Sequence, residues 1–126
     1  MVSAAPDIPE LADRVPTNAS WLESLRKGES REVANQLVDL PIATIRAVIR
    51  ELSDEQSGDV IMEFDPSLQI QLFDEMRLPR VSGIVDEMFL DDAADILGRL
   101  SADRLNAILK NLPPESVAKI TEILGY

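Results

Sequence analysis

From Pro41 to Leu124 the chain is cut into seven short units, and this punctuation limits what it can fold into. The units are 41–52 (PIATIRAVIREL), 53–64 (SDEQSGDVIMEF), 65–76 (DPSLQIQLFDEM), 77–89 (RLPRVSGIVDEMF), 90–100 (LDDAADILGRL), 101–112 (SADRLNAILKNL) and 113–124 (PPESVAKITEIL). Each carries apolar residues three and four apart, the spacing of one helix face, and closes on Leu, Phe or Met. Helices this short are marginal in water, so each unit must bury its stripe against its neighbours. Two successive helices make a repeat of about 24 residues, and stacked helix pairs make a solenoid. Strand signals are missing: no alternating β-branched run is flanked by Asn-Gly or Asp-Gly. The expected fold is all-α, a superhelical solenoid of short antiparallel helices of the armadillo kind.

Helix starts are written into the units. Ser53 and Gln56 have capping-box spacing, Asp65-Pro66 is a cap followed by proline at the first helical position, Ser101 is another cap, and Pro113-Pro114 opens the last unit. Proline cannot continue a preceding helix, so the prolines also separate the units. Upstream, Ser20 and Glu23 have capping-box spacing before Trp21, Leu22 and Leu25, and Gly28 ends that helix. A second helix is expected over 30–40, with Val33, Leu37 and Leu40 on one face. Residues 1–19 hold Pro6, Pro9 and Pro16 among small and acidic residues. They read as a flexible tail preceding a helical domain over 20–126.

Composition removes whole classes of function. Asp and Glu number 23 against 12 Lys and Arg, a net charge of −11. This disfavours nucleic acid, which needs a basic footprint, and direct docking on anionic lipid. Cations or basic protein surfaces remain as partners. Without cysteine or histidine, the chain has no disulfide, no thiolate metal site, no Ser-His nucleophile and no His-ligated metal. No apolar run approaches the roughly 18 residues of a membrane span. The N-terminus lacks a secretory pattern, which points to the cytosol. The five glycines form no phosphate loop. Trp21 reads as a packing residue, and Met62, Met76 and Met88 as core.

The remaining chemistry lies in carboxylates, above all in residues 85–100. As a helix, this stretch places Ala93, Ile96, Leu97 and Leu100 on one apolar stripe. Asp91 and Asp95 stand four apart on the opposite face, with Asp92 at its edge and Asp86 and Glu87 just upstream. Two helices earlier, Val60, Ile61 and Phe64 mark a core face, so Asp59 and Glu63 project to the polar side. Each acidic residue also has an ordinary explanation. Asp91 and Asp92 suit the positive end of a helix. Asp95 can pair with Arg99 on the surface. Asp59 and Glu63 can simply be solvated.

The unit order, and above all Leu-Asp-Asp-Ala-Ala-Asp-Ile-Leu at 90–97, resembles the N-terminal intracellular domain of MgtE magnesium transporters. The resemblance covers about residues 20–126, and Ile-Leu-Gly-Tyr at 123–126 is similar to the last helix before that family's CBS domains. It implies a superhelix of short helices that forms the cytosolic Mg²⁺-sensing part of a larger membrane protein. The implied partners are the CBS and transmembrane domains of a parent chain that forms a homodimer. In that family, Mg²⁺ clamps acidic faces of the N and CBS domains together and closes the pore. By residue match, Asp91, Asp95 and Asp59 are the implied metal positions, with Mg²⁺ as a weak regulatory ligand. Gly98-Arg99 departs from the family, which often carries further acidic residues there. The alternative is a pure protein-interaction solenoid resembling the flagellar switch protein FliG, without ion sensing. An enzyme is not expected, because paired-carboxylate hydrolysis needs a cleft that shifts carboxyl pKa values.

Overall fold

The computed structural model describes residues 19–125, and every regular element among them is helical. The elements are α1 (Ala19–Lys27), α2 (Ser30–Leu37), α3 (Ile42–Arg50), α4 (Asp54–Met62), α5 (Pro66–Glu75), α6 (Leu78–Glu87), α7 (Leu90–Leu97), α8 (Ala102–Leu109) and α9 (Pro114–Leu124). Each of the seven sequence units yields one helix, as the all-α repeat reading expects. The expected tail, residue 19 apart, lies outside the described residues, as does Tyr126.

The predicted caps form where the side chain is short and acidic or hydroxylic. Ser53 Oγ accepts from the Gln56 N–H, Asp65 Oδ1 from the Leu68 N–H, and Ser101 Oγ from the Arg104 N–H. Each satisfies one of the unpaired N–H groups of a first turn. Two local expectations shift. Ser20 lies inside α1, which already begins at Ala19, so it is not the residue before the helix. Its proposed partner Glu23 faces Lys27 at 3.5 Å and Arg26 at 3.6 Å instead. The second helix stops at Leu37 rather than Leu40. A tight turn follows, with the Leu40 N–H on the Leu37 carbonyl, because Pro41 disfavours helical backbone just before it.

The described residues pack as two compact units, 19–63 and 64–125. In the first, α2 packs closely on α4 over Val33, Leu37, Val60 and Ile61, all fully buried. α1 adds Leu22 and Leu25 to that core, and polar bonds tie it down. The Trp21 indole N–H donates to Gln36 Oε1 at 3.1 Å. The Gln56 amide does not turn back to close a capping box on Ser53. It donates to the Leu25 and Arg26 carbonyls, at 2.8 and 3.2 Å, and so caps the end of α1.

In the second unit, α7 packs on α5 and α9, and α6 on α8. Phe73, Val81, Ile84, Leu97, Ile108 and Ile120 are fully buried. The Arg104 guanidinium performs the task of Gln56. Its Nε and Nη2 donate to the Phe73 carbonyl at 3.0 and 2.7 Å, and Nη2 also donates to the Met76 carbonyl. The likeness is one of register. Ser101 and Arg104 lie 48 positions after Ser53 and Gln56, and Phe73 lies 48 after Leu25. The starts of α6, α7 and α8 follow those of α2, α3 and α4 by the same 48 positions. Buried Val33, Leu37, Ile49 and Val60 have buried counterparts in Val81, Val85, Leu97 and Ile108. The working repeat is thus four helices, twice the 24-residue pair.

The predicted stripe of α7 is largely realised. Ala93, Ile96 and Leu97 are buried, Ala94 joins them, and Leu100 is half-buried past the helix end. Met62, Met76 and Met88 are only half-buried, so they flank the core rather than form it.

Leu97→Ala should cost about 2–5 kcal/mol in chemical denaturation, since its side chain is fully enclosed. Arg104→Ala should cost about 1–3 kcal/mol by leaving the α5 carbonyls without donors. Arg104→Lys should recover only part of this, because an ammonium lacks the planar fork.

Candidate functional site

α7 has one buried side and one wet side. Burial of Ala93, Ala94, Ile96 and Leu97 fixes its rotation, and that rotation puts Asp91 and Asp95 in solvent. Residues four apart on a helix have Cβ atoms about 5–6 Å apart, so the two carboxylates share one face. Asp91 and Asp92 lie in the first turn, where the helix dipole favours negative charge. Neither is the N-cap: that position belongs to Phe89, which makes no side-chain capping bond.

Asp95 has a local competitor. Its Oδ1 lies 3.7 Å from Arg99 Nη2, with the two side chains 64 % and 42 % exposed. A pair this open is worth at most about 1 kcal/mol, and a divalent cation could displace the guanidinium. Asp91 makes no ion pair with a described residue.

Asp59 belongs to the first unit. It is exposed on α4, whose Val60 and Ile61 face the core. It borders a groove of about 540 Å³ shared with Arg26, Glu29, Ser30, Glu55 and Gln56. Glu55 stands four residues before Asp59 on the same helix. Glu55 joins the candidates, and the signal for it is its spacing from Asp59, which repeats that of Asp91 and Asp95. Glu63, expected beside Asp59, pairs with Arg31 at 3.7 Å. Among the described residues no three acidic side chains converge tightly enough to hold a metal by themselves. What these faces offer is one or two carboxylates each. That suits an ion such as Mg²⁺, which keeps several of its waters.

A comparison with known protein families identifies the domain. A family model described as the MgtE intracellular N domain matches residues 29–126. The chain belongs to that family, the regulatory N domain of magnesium transporters, which is not a known enzyme family. α1 precedes the matched stretch although its side chains are built into the first unit. No curated protein and no solved structure matches the chain. No helix among the described residues is long and apolar enough to cross a membrane.

Arg99→Ala should change stability by less than about 1 kcal/mol in urea denaturation. If Arg99 screens Asp95, the same variant should bind Mg²⁺ up to about fivefold more tightly around Asp95. Amide shifts in a Mg²⁺ titration measure this.

Proposed function

We propose that the chain is the cytosolic Mg²⁺-sensing domain of an MgtE-like transporter, with Asp91, Asp95 and Asp59 supplying ligands to regulatory Mg²⁺ ions. The observation that carries the reading is the exposed Asp91–Asp95 face of α7, on a helix anchored by its buried side, in a chain of this family. In this reading the chain sits on the cytoplasmic side of the membrane, and the parent is a homodimer with CBS and transmembrane domains. The acidic face of α7 opposes an acidic face of the CBS domains.

The physics of such a switch is simple. Without divalent ions the two faces repel, by roughly 1 kcal/mol in water for each pair of unit charges about 4 Å apart, and by more near a protein surface. A bridging ion reverses the sign. The closed state gains only the difference between the affinities of the ion for the two states. In this scheme each face supplies one or two carboxylates, and the facing domain supplies the remaining protein ligands. An isolated face of this kind binds Mg²⁺ on the order of millimolar.

In a Mg²⁺ titration of the isolated chain, amide shifts should cluster at Asp91 and Asp95 and exceed those from Na⁺ at equal ionic strength. Equal, uniform shifts from both salts would mean screening alone and would favour a plain interaction solenoid. In the full-length parent, Asp91→Ala with Asp95→Ala should keep the pore open at Mg²⁺ concentrations that close the wild type. Protease protection of the segment after Tyr126 reads the closure. An unchanged protection midpoint would remove both residues from the sensor.

A further inference from the structure

The two units carry one repeat, so each shows which side chains the fold of the other requires. In the first unit, α2, α4 and the residues that end them include Arg31, Ala34, Val38, Met62 and Glu63. Arg31 pairs with Glu63 at 3.7 Å, and Ala34 is buried. In the second unit, the same register positions hold Pro79, Ser82, Asp86, Lys110 and Asn111. The ion pair is gone, because neither proline nor asparagine is charged. Three positions that were apolar have become a hydroxyl, a carboxylate and an ammonium.

These five residues and Leu112 lie along one groove of about 620 Å³. Ser82 is only 5 % exposed, and its Oγ is closed off from water and makes no hydrogen bond. A buried hydroxyl without a partner lowers stability, and Ala34 shows that the repeat folds without one at this position. Asp86 and Lys110 are both exposed on the groove. Neither makes an ion pair with a described residue. Folding therefore uses none of the three polar groups.

We propose that this groove binds a small zwitterion of the amino-acid class, its ammonium on the Asp86 carboxylate and its carboxylate on the Lys110 ammonium. The Ser82 hydroxyl turns about χ1 and donates to the ligand carboxylate. A plain anion meets Asp86 in the same groove, and a plain cation meets Lys110. Only a ligand with both charges is attracted by both residues. The volume suits a small molecule, and Pro79 and Leu112 offer apolar contact to its methylene groups. The site uses neither Asp59, Asp91 nor Asp95, so it stands apart from the Mg²⁺ reading.

Amide shifts of the 126-residue chain, titrated with glycine, β-alanine, 4-aminobutyrate and 6-aminohexanoate, test this. Butyrate and butylamine at equal ionic strength are the single-charge controls. The zwitterion whose length matches the groove should give saturable shifts centred on Ser82, Asp86 and Asn111, with a Kd on the order of millimolar. Each control should bind at least about tenfold more weakly. Asp86→Asn and Lys110→Met should each weaken the best zwitterion about tenfold. Methionine is the residue that the first unit carries there, so the repeat tolerates it. Ser82→Ala should weaken binding about three- to tenfold, and in urea it should be at least as stable as wild type. Non-saturating shifts with all four zwitterions would overturn the site, as would a control that binds equally well or an affinity unchanged in Asp86→Asn and Lys110→Met. A loss of stability in Ser82→Ala would show that the hydroxyl serves packing, and would overturn its part. Mg²⁺-dependent shifts at Asp91 and Asp95 are read separately in the same chain, so neither proposal falls with the other.

Discussion

Short helices set the central constraint on this protein. An α-helix leaves its first four N–H groups and last four carbonyls without internal partners. In helices of 8–11 residues that is a large share of the backbone, so burying an apolar stripe is not sufficient. The ends must be satisfied by groups from elsewhere. Gln56 and Arg104 do this at equivalent places, each reaching from the first turn of one helix to the last carbonyls of a helix three elements earlier. The same residue position therefore serves twice. Its backbone N–H takes the serine cap of its own helix, and its side chain closes another. Packing and end-capping become one constraint, and it recurs after 48 residues.

That constraint is also what prepares the acidic surface. Once Ala93, Ala94, Ile96 and Leu97 are buried, Asp91 and Asp95 have one direction left to face. The fold draws little on them: Asp91 sits at the positive end of α7 and Asp95 pairs loosely with Arg99. Stability comes from the buried side, and the Asp95–Arg99 pair is too exposed to add much. In the proposed reading this charge takes an ion, and an ion that keeps its waters needs no deep pocket. The same holds for Asp59 on α4, beside Glu55 and the groove of the first unit.

The helical units were legible in the sequence because their signals are local. Ser53, Asp65 and Ser101 announce helix starts through side-chain bonds that span three residues, Pro66 and Pro114 through a fixed φ at the first helical position, and all four starts lie where read. Three- and four-residue apolar spacing located the buried face of α7 and, by opposition, Asp91 and Asp95 on its wet face. The edges were less legible. Ser20 obeys the capping-box spacing yet sits within α1, because spacing alone does not say which residue the helix takes in first.

What the sequence by itself determined is the helix content, the order and approximate bounds of the elements, and the sides of α2, α4 and α7 that face the core. These follow from backbone sterics, caps and periodicity, all of which act within a few residues. Only the tertiary structure decided where Gln56 and Arg104 spend their donors, that Glu55 shares the groove of Asp59, and that Phe89 stays in solvent while neighbouring Leu90 lines a groove. Those outcomes depend on groups about thirty residues away or on the space left between packed helices. A side chain that can bond equally well to its own turn or to a distant carbonyl is settled by which of the two is left without another partner after packing.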